Sequence, residues 1–151
     1  MLRLPFPDQW RVGLCMPAAT SIHGIDERRF FEQNAPIETE SSLRAMAFLY
    51  HGVLPAFRAI DLPRLASALA DLAAEGFKRL EIERYGKVVA RLLSYLHRKG
   101  FAAGMSSMGP LVYVIFDVEN NVAETEIRSI CSVSDTEWLG SYTGLNRSAT
   151  L

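Results

Sequence analysis

The sequence predicts one α+β domain, in which a small antiparallel sheet carries helices packed on one face. The chain has 151 residues, of which 49% are apolar and 22% charged, as is ordinary for one globular domain. Strand-like segments lie near both ends, and helical periodicity fills the middle. Strands and helices do not alternate strictly, which favours α+β over α/β for a single domain over residues 1–151.

The first elements are a strand and a short helix. Residues 10–16 are mostly apolar and are stopped by Pro17, which predicts a buried strand. A loop over residues 18–24 follows. Residues 26–33 then form a short helix, because Asp26 and Glu27 suit the positive N-terminal end of a helix.

The next helix begins near Thr39, Ser41 or Ser42, which are candidate N-caps. Apolar residues then recur at i, i+3, i+4, i+7, i+11 and i+14, which predicts one apolar helical face. They are Leu43, Met46, Ala47, Tyr50, Leu54 and Phe57. Pro55 lacks a backbone N–H and should kink this helix near His51.

Two further helices complete the middle of the chain. Asp61 caps the first, which ends by Gly76. The second runs from about residue 86 to residue 99 and ends at Gly100. Their apolar stripes consist of Leu62, Leu65, Leu69 and Leu72 in the first and of Val88, Val89, Leu92, Leu93 and Leu96 in the second.

The pattern changes to strands after Gly100. Residues 101–104 form a small strand, and the run 111–116 is the clearest strand, predicted to be buried on both faces. Residues 120–132 indicate a weaker helix. The tail from Glu137 predicts a last strand.

Charge and cysteine content exclude several functional classes. The net charge of −1 gives no field that would recruit nucleic acid or an anionic membrane. Because the longest strongly apolar run is far too short to span a bilayer and the start lacks a signal-peptide pattern, we expect a cytoplasmic protein. Cys15 and Cys131 lack zinc-site spacing and predict two buried thiols, with a long-range disulfide as the alternative.

Basic residues concentrate between Lys78 and Lys99. This segment contains seven basic residues and only two acidic ones. The segment from Asp117 to Glu137 has the opposite balance. Such runs are typical of solvated helix faces; the functional alternative is a helix that faces an anionic ligand.

The strongest functional signal is the connection between the small strand and the clear one. Glycines there let the backbone approach a ligand, and amides with two hydroxyls suit phosphate or carboxylate oxygens. The alternative is a plain hairpin turn. Lys and Ser/Thr are missing where a Walker A loop needs them, and Met108 stands where a nucleophile elbow needs Gly. The candidate binding residues are Gly104, Met105, Ser106, Ser107, Met108 and Gly109.

At this loop the sequence resembles a known family. The run K-G-F-A-A-G-M-S-S-M-G-P-L-V-Y at residues 99–113 is similar to the glycine/serine motif of β-ribofuranosylaminobenzene 5′-phosphate synthases, in the GHMP-kinase superfamily. Residues 5–12, P-F-P-D-Q-W-R-V, resemble the start of that family's second half. His23-Gly24 with Glu27, and Asn146-Arg147, resemble two further family segments.

The sequence departs from the family in two ways. Met105 and Met108 replace a usual Gln and Trp, which removes a substrate-binding amide and an aromatic wall. Nothing resembles the family's N-terminal Gly-Leu-Gly-Ser-Ser-Ala loop. We therefore expect the chain to correspond to the C-terminal half alone, with the N-terminal domain absent.

The resemblance implies a fold and a reaction. The fold would be ferredoxin-like, of the GHMP-kinase C-terminal type. The family joins phosphoribosyl pyrophosphate to a hydroxy- or aminobenzoate on the path to methanopterin, with Mg²⁺, and releases pyrophosphate and carbon dioxide. The 104–109 loop would cover the phosphorylated substrate, with amides from Ser106, Ser107 and Gly109.

The expected partner is a missing N-terminal GHMP-type domain or a second copy of the chain. Alone, the chain would be inactive and would need no cofactor of its own, since one wall of a cleft cannot organise the reactants. Two alternatives are the C-terminal domain of a small-molecule GHMP-type kinase and a stand-alone ferredoxin-like module that binds an anion or forms oligomers.

Overall fold

One four-stranded antiparallel sheet organises residues 4–146, the part of the chain that the structure, a computed structural model, describes. The strands are β1 (Trp10–Pro17), β2 (Ala102–Met105), β3 (Val112–Asp117) and β4 (Thr136–Tyr142). The α-helices of this part are α1 (Ile25–Asn34), α2 (Thr39–Ala47), α3 (Leu54–Ala59), α4 (Leu62–Ala73), α5 (Gly76–Arg84), α6 (Lys87–Arg98) and α7 (Ala123–Val133). None of these helices is long and apolar enough to cross a bilayer.

The order of the strands across the sheet is β2-β3-β1-β4. β1 pairs with β3 and β4, and β2 pairs with β3, all antiparallel. With α6 before β2 and α7 between β3 and β4, this is the β-α-β-β-α-β arrangement of ferredoxin-like folds. The predicted α+β class, with a small antiparallel sheet, is confirmed.

The main core lies between the sheet and the two helices α6 and α7. Leu92 and Leu96 of α6 and Ile127 of α7 are fully buried there against Val112 and Val114 of β3. Burial of such a contiguous apolar cluster is the chief stabilising contribution to a domain of this size. These two helices share one face of the sheet, as predicted.

The other face of the sheet has a smaller core under α4, a helix that the prediction of helices on one face did not place there. Leu65 and Leu69 of α4 pack there with Trp10 of β1 and Ile115 of β3. Because side chains alternate along a strand, Ile115 points opposite to its neighbours Val114 and Phe116, which lie in the main core. The prediction that β3 is buried on both faces is thereby confirmed.

Helix boundaries follow local chemistry at two predicted positions. The Asp61 carboxylate accepts a hydrogen bond from the Arg64 amide at 3.0 Å and caps α4. Gly100 adopts φ +80° directly after α6, and the amide of Phe101 returns to the carbonyl of Leu96 at 3.0 Å. This left-handed ending is the conformation that favours glycine.

The chain leaves α geometry where Pro55 predicted a kink. A π-helical turn over Phe48–Val53 joins α2 to α3. Pro55 cannot donate to the His51 carbonyl four residues earlier, and the Arg64 guanidinium donates to that carbonyl instead, at 3.1 Å. The proline thus displaces the hydrogen-bonding register, and a side chain of α4 compensates for the lost bond.

The predicted continuous apolar face from Leu43 to Phe57 is wrong. Leu43, Met46 and Tyr50 are 59%, 53% and 57% exposed, whereas Phe57 packs in the second core. A π turn has more residues per turn than an α-helix, so it rotates the following side chains out of the stripe. We call Leu43, Met46, Leu49 and Tyr50 the exposed apolar row.

Helix α5 is absent from the sequence prediction, and a polar cluster fixes where it begins. The Ser41 hydroxyl accepts from the Gly76 amide at 2.9 Å and donates to Glu75 at 2.5 Å. Arg44 donates to the same Glu75 carboxylate at 2.7 Å. Ser41 is therefore not an N-cap of its own helix, and neither Thr39 nor Ser42 caps α2; Ser41 caps α5 instead.

Both cysteines are free thiols buried in the main core, as predicted, and the disulfide alternative is not realised. A hydrogen bond to Cys131 and burial raise the pKa of the Cys15 thiol well above its ordinary value. The protonated, unreactive form is therefore favoured at Cys15.

The polar cluster at α5 predicts an acid-sensitive stability. Hydrogen bonds from Arg44 and Ser41 lower the pKa of Glu75, so its ionised form stabilises the fold above the ordinary carboxyl pKa of about 4.3, and this contribution is lost as pH falls through the folded value. Glu75→Gln should lower the urea midpoint at pH 7, and the difference from wild type should shrink towards pH 3. Glu119→Gln, at an exposed position, is the control; an unchanged difference across this pH range would contradict the assignment.

Candidate functional site

The candidate loop is the tip of the β2–β3 hairpin. Gly104 and Met105 lie within β2 and pair with Tyr113 and Val112 of β3. Residues 106–109 make the turn, in which the Gly109 amide donates to the Ser106 carbonyl at 2.6 Å. The connection between the two strands is therefore a hairpin turn in its local structure. Any ligand would have to bind to that hairpin.

The amide donors of the loop differ from those expected. The Ser106 amide donates to the Leu111 carbonyl at 2.8 Å and the Gly109 amide to Ser106, so neither is available to a ligand. Among residues 4–146, no group accepts a hydrogen bond from the Ser107 or Met108 amide. Ser107 is thus the one predicted donor left without an acceptor, and Met108 is a donor that the sequence did not indicate.

Met108 as a whole residue is only 6% exposed, and its amide takes no part in the hydrogen bond of the turn. Backbone N–H groups of buried residues nearly always have an acceptor, since leaving one unpaired costs free energy. An acceptor from outside the described residues would remove this cost. The arrangement therefore suits an oxygen ligand at the turn.

The turn has an unusual backbone. Ser107 has φ +37° and Gly109 has φ +69°, both in the left-handed region, and the Gly109–Pro110 peptide bond is cis. A positive φ at the second turn residue and a negative one at the third match a type II′ hairpin turn, which prefers glycine where Ser107 stands. A serine there is held by its surroundings rather than by its own preference.

Two side chains from the region of α5 hold the turn by its carbonyls. The Lys78 ammonium donates to the Ser107 carbonyl at 2.6 Å and pairs with the buried Glu81 carboxylate. The Tyr85 hydroxyl donates to the Met108 carbonyl at 2.5 Å. Burial raises the pKa of Tyr85, so its hydroxyl stays protonated and able to donate at neutral pH.

The remaining predicted residues are packed inside the protein. Met105 and Met108 are both buried, and Met105 belongs to the main core. A Cβ on Gly104 would lie 2.5 Å from the Tyr113 hydroxyl, so glycine is needed for this close approach. Whether these three residues bind a ligand stays a prediction.

Two segments that carried the family resemblance, one near each end of the described chain, meet in space. The Asn146 side chain accepts from the Phe6 amide at 2.6 Å and donates to the Phe6 carbonyl at 2.9 Å. Arg147 lies outside the described residues.

Other candidate features lie elsewhere or are structural. His97 is half-buried and its Nε2 lies 3.0 Å from the Ala103 carbonyl. A cleft of about 520 Å³ lies between residues 4–9 and the end of α3, and no residue of the 104–109 loop lines it. The described residues contain no group of three or more His, Cys, Asp or Glu side chains that could hold a metal ion.

The basic run from Lys78 to Lys99 is divided by the structure. Lys78, Arg79 and Lys99 pair with carboxylates, whereas Arg84 and Arg91 are exposed and, within residues 4–146, have no ion-pair partner. Of these basic side chains, Lys78 is the one that contacts the candidate loop. Most of the run is therefore a solvated face, and one member belongs to the site.

Comparison with known proteins identifies relatives. The β-ribofuranosylphenol 5′-phosphate synthase of Archaeoglobus fulgidus is 32% identical over 126 residues, which is 83% of this chain and 39% of that protein. The enzyme of the same name from Methanothermobacter thermautotrophicus is 28% identical over 80% of the chain and 38% of its own length. The chain is a relative of the β-ribofuranosylphenol 5′-phosphate synthases. The family resemblance drawn from the motifs is confirmed, although no family model matches.

Solved structures of other proteins share the fold of this chain. A homoserine kinase from Cytophaga hutchinsonii superposes with a TM-score of 0.62 at 13% identity, covering 96% of this chain and 44% of the kinase. A mevalonate diphosphate decarboxylase from Enterococcus faecalis gives a TM-score of 0.51 at 15% identity, covering 92% and 44%. At these identities the likeness concerns the fold, and it confirms the GHMP-kinase C-terminal type.

The sequence did not indicate Lys78 or Tyr85 as site residues. Neither belongs to a recognisable motif, and both lie well before the loop in the sequence. Tyr85 had no signal at all, whereas Lys78 opens the basic run whose functional alternative was a helix facing an anion. That alternative pointed to the region but not to the residue.

Removing the Tyr85 hydroxyl should loosen the turn. Tyr85→Phe deletes the hydrogen bond to the Met108 carbonyl, and we expect a loss of about 1 kcal/mol in the free energy of unfolding, measured in urea. Hydrogen exchange of the Gly109 amide should quicken as well. Tyr50→Phe, at a 57% exposed position, should change neither quantity; equal effects of both variants would refute a role of the Tyr85 hydroxyl in holding the turn.

Proposed function

We propose that the chain is the substrate-side part of a phosphoribosyl pyrophosphate-using transferase of the β-ribofuranosylphenol 5′-phosphate synthase type. The observation that carries the proposal is the 32% identity to the Archaeoglobus fulgidus synthase. A match of 126 residues within a chain of 151 must include the 104–109 loop. The similarity therefore extends through the element with the unpaired amides.

In this proposal the loop binds phosphate oxygens of the substrate. The Ser107 and Met108 amides supply main-chain donors, and the Ser106 and Ser107 hydroxyls supply side-chain donors. Amides fixed by the fold stabilise anions without reorganisation when the ligand arrives. Met105 and Met108 contribute packing rather than polar contacts, because both side chains are buried.

A second polypeptide region completes the site. The chain spans about 39% of the length of the relative it matches, so in this proposal the remaining region supplies the other side of the anion site. The exposed apolar row supports a contact of this kind, since four large apolar side chains there lie at the surface. We propose that the row packs against the region of the relatives that this chain does not span.

Mg²⁺ belongs to the proposal for the complete enzyme alone. Among residues 4–146 no cluster of carboxylates or imidazoles fits a metal ion, so we assign no Mg²⁺ ligand to them. In the complete enzyme the ion would accompany the pyrophosphate group.

Complementation tests the proposed function. The chain should release no pyrophosphate from phosphoribosyl pyrophosphate and a hydroxybenzoate by itself. It should do so when co-expressed with the remaining region of the Archaeoglobus fulgidus synthase. Ser106→Ala with Ser107→Ala should then lower the rate by at least about tenfold, since each hydroxyl lost from a charged acceptor weakens binding.

The matched control for that variant is Ser67→Ala with Ser132→Ala, at two exposed positions outside the loop. It should keep the full rate. Full activity of the double loop variant would exclude the loop from substrate binding, and ATP-dependent phosphorylation by the reconstituted protein would favour the kinase alternative.

The exposed apolar row makes a separate prediction. Met46→Lys with Tyr50→Lys should change the free energy of unfolding by less than about 0.5 kcal/mol, because both positions are exposed. The same variant should weaken association with the complementary region at least about tenfold, by loss of apolar burial. Val122→Lys with Val133→Lys, at positions 66% and 67% exposed, is the control for sedimentation analysis. If the two variants associate equally well with the complementary region, the row is not the contact. If the wild-type chain forms a homodimer and Met46→Lys dissociates it, the row contacts a second copy of the chain.

A further inference from the structure

We propose that Lys78, held by the buried Glu81, is a positioning residue for the Met108 amide of the anion site. The inference rests on the proposed function, because it assumes that the loop binds an anion. It adds a residue outside the loop and outside every motif of the family resemblance. Lys78 acts through the backbone and does not bind the ligand itself.

The contacts of Lys78 are those of a structural clamp. Its ammonium donates to the Ser107 carbonyl at 2.6 Å and to a Glu81 carboxylate oxygen. The Glu81 side chain is 9% exposed, and that of Lys78 is 29% exposed. A carboxylate as buried as this one needs an ion-pair partner, because an unpaired charge at this position would cost free energy. Glu81 therefore fixes where the Lys78 ammonium lies.

The position of the Lys78 ammonium determines the direction of the Met108 N–H, because the Ser107 carbonyl and this N–H belong to one planar peptide group. The Ser107–Met108 peptide bond is trans, so its N–H points away from its C=O. With Lys78 on the carbonyl side, the Met108 N–H is turned towards the opposite side of the turn. The Tyr85 hydroxyl fixes the following carbonyl in the same way, at 2.5 Å.

The clamp also explains the strained serine. Ser107 holds φ +37°, a conformation that costs a residue with a side chain of order 1 kcal/mol or more. A charged hydrogen bond to its carbonyl can offset that cost. Without Lys78 the turn is expected to relax, and the Met108 amide would lose its direction.

A direct role in ligand binding makes the opposite prediction for Glu81. If Lys78 bound the anion by its charge, Glu81→Gln would remove a competing negative charge and strengthen binding. If Lys78 positions the loop, the same variant frees the ammonium from its fixed place and weakens binding. The sign of this one change separates the two roles.

The experiment is a titration of the chain with inorganic pyrophosphate, followed by the ¹⁵N–¹H signals of Ser107 and Met108. In wild type both signals should shift saturably. Lys78→Met should weaken binding about tenfold, as loss of a hydrogen bond from a charged group does. Lys78→Arg should restore most of the affinity, and Glu81→Gln should lower it. Lys99→Met, which removes a lysine paired with Glu126 elsewhere, should leave it unchanged.

The outcomes separate the two proposals. Normal wild-type binding with no effect of Lys78→Met, or tighter binding by Glu81→Gln, overturns the positioning role and leaves the anion site intact. Absence of any saturable shift in wild type overturns both. Dispersed spectra of Lys78→Arg and Glu81→Gln show that the fold persists, should Lys78→Met fail to fold.

Discussion

The candidate site depends on how the two carbonyls of Ser107 and Met108 are held at the tip of the β2–β3 hairpin. Lys78 binds the first and Tyr85 the second, so the orientation of the intervening peptide group is set from outside the hairpin. The turn alone would not choose this conformation, because a serine occupies a position that favours glycine. The fold thus imposes the arrangement in which the Ser107 and Met108 amides have no acceptor among the described residues.

The wider architecture explains why this clamp exists where it does. Helix α5 begins at Gly76, where Ser41 caps it and Glu75 is tied to Arg44. The same short helix carries Lys78 and Glu81 and ends beside Tyr85. The contacts that fix the start of α5 therefore also fix the reach of Lys78 to the hairpin.

Much of the fold could be predicted from the sequence because strong apolar periodicity decides it. The run that became β3 and the stripe of Leu92 and Leu96 were unambiguous, and Asp61 and Gly100 marked helix ends by local chemistry. Helix α5 could not be predicted, since charged side chains dominate it and the buried pair Glu81 and Ile82 is adjacent rather than at helical spacing. The apolar stripe after Leu43 failed because Pro55 introduced a π turn that shifted the register. The loop could be named from its residues, but which amides were available depended on hairpin hydrogen bonds that no spacing reveals.

The most direct measurement is a crystal structure of the chain with pyrophosphate bound. We expect a phosphate oxygen within about 3 Å of the Met108 amide nitrogen, while the Lys78 ammonium still donates to the Ser107 carbonyl on the opposite side of the turn. Pyrophosphate bound away from the hairpin, or a Met108 amide that donates to a protein carbonyl in the crystal, would contradict this expectation.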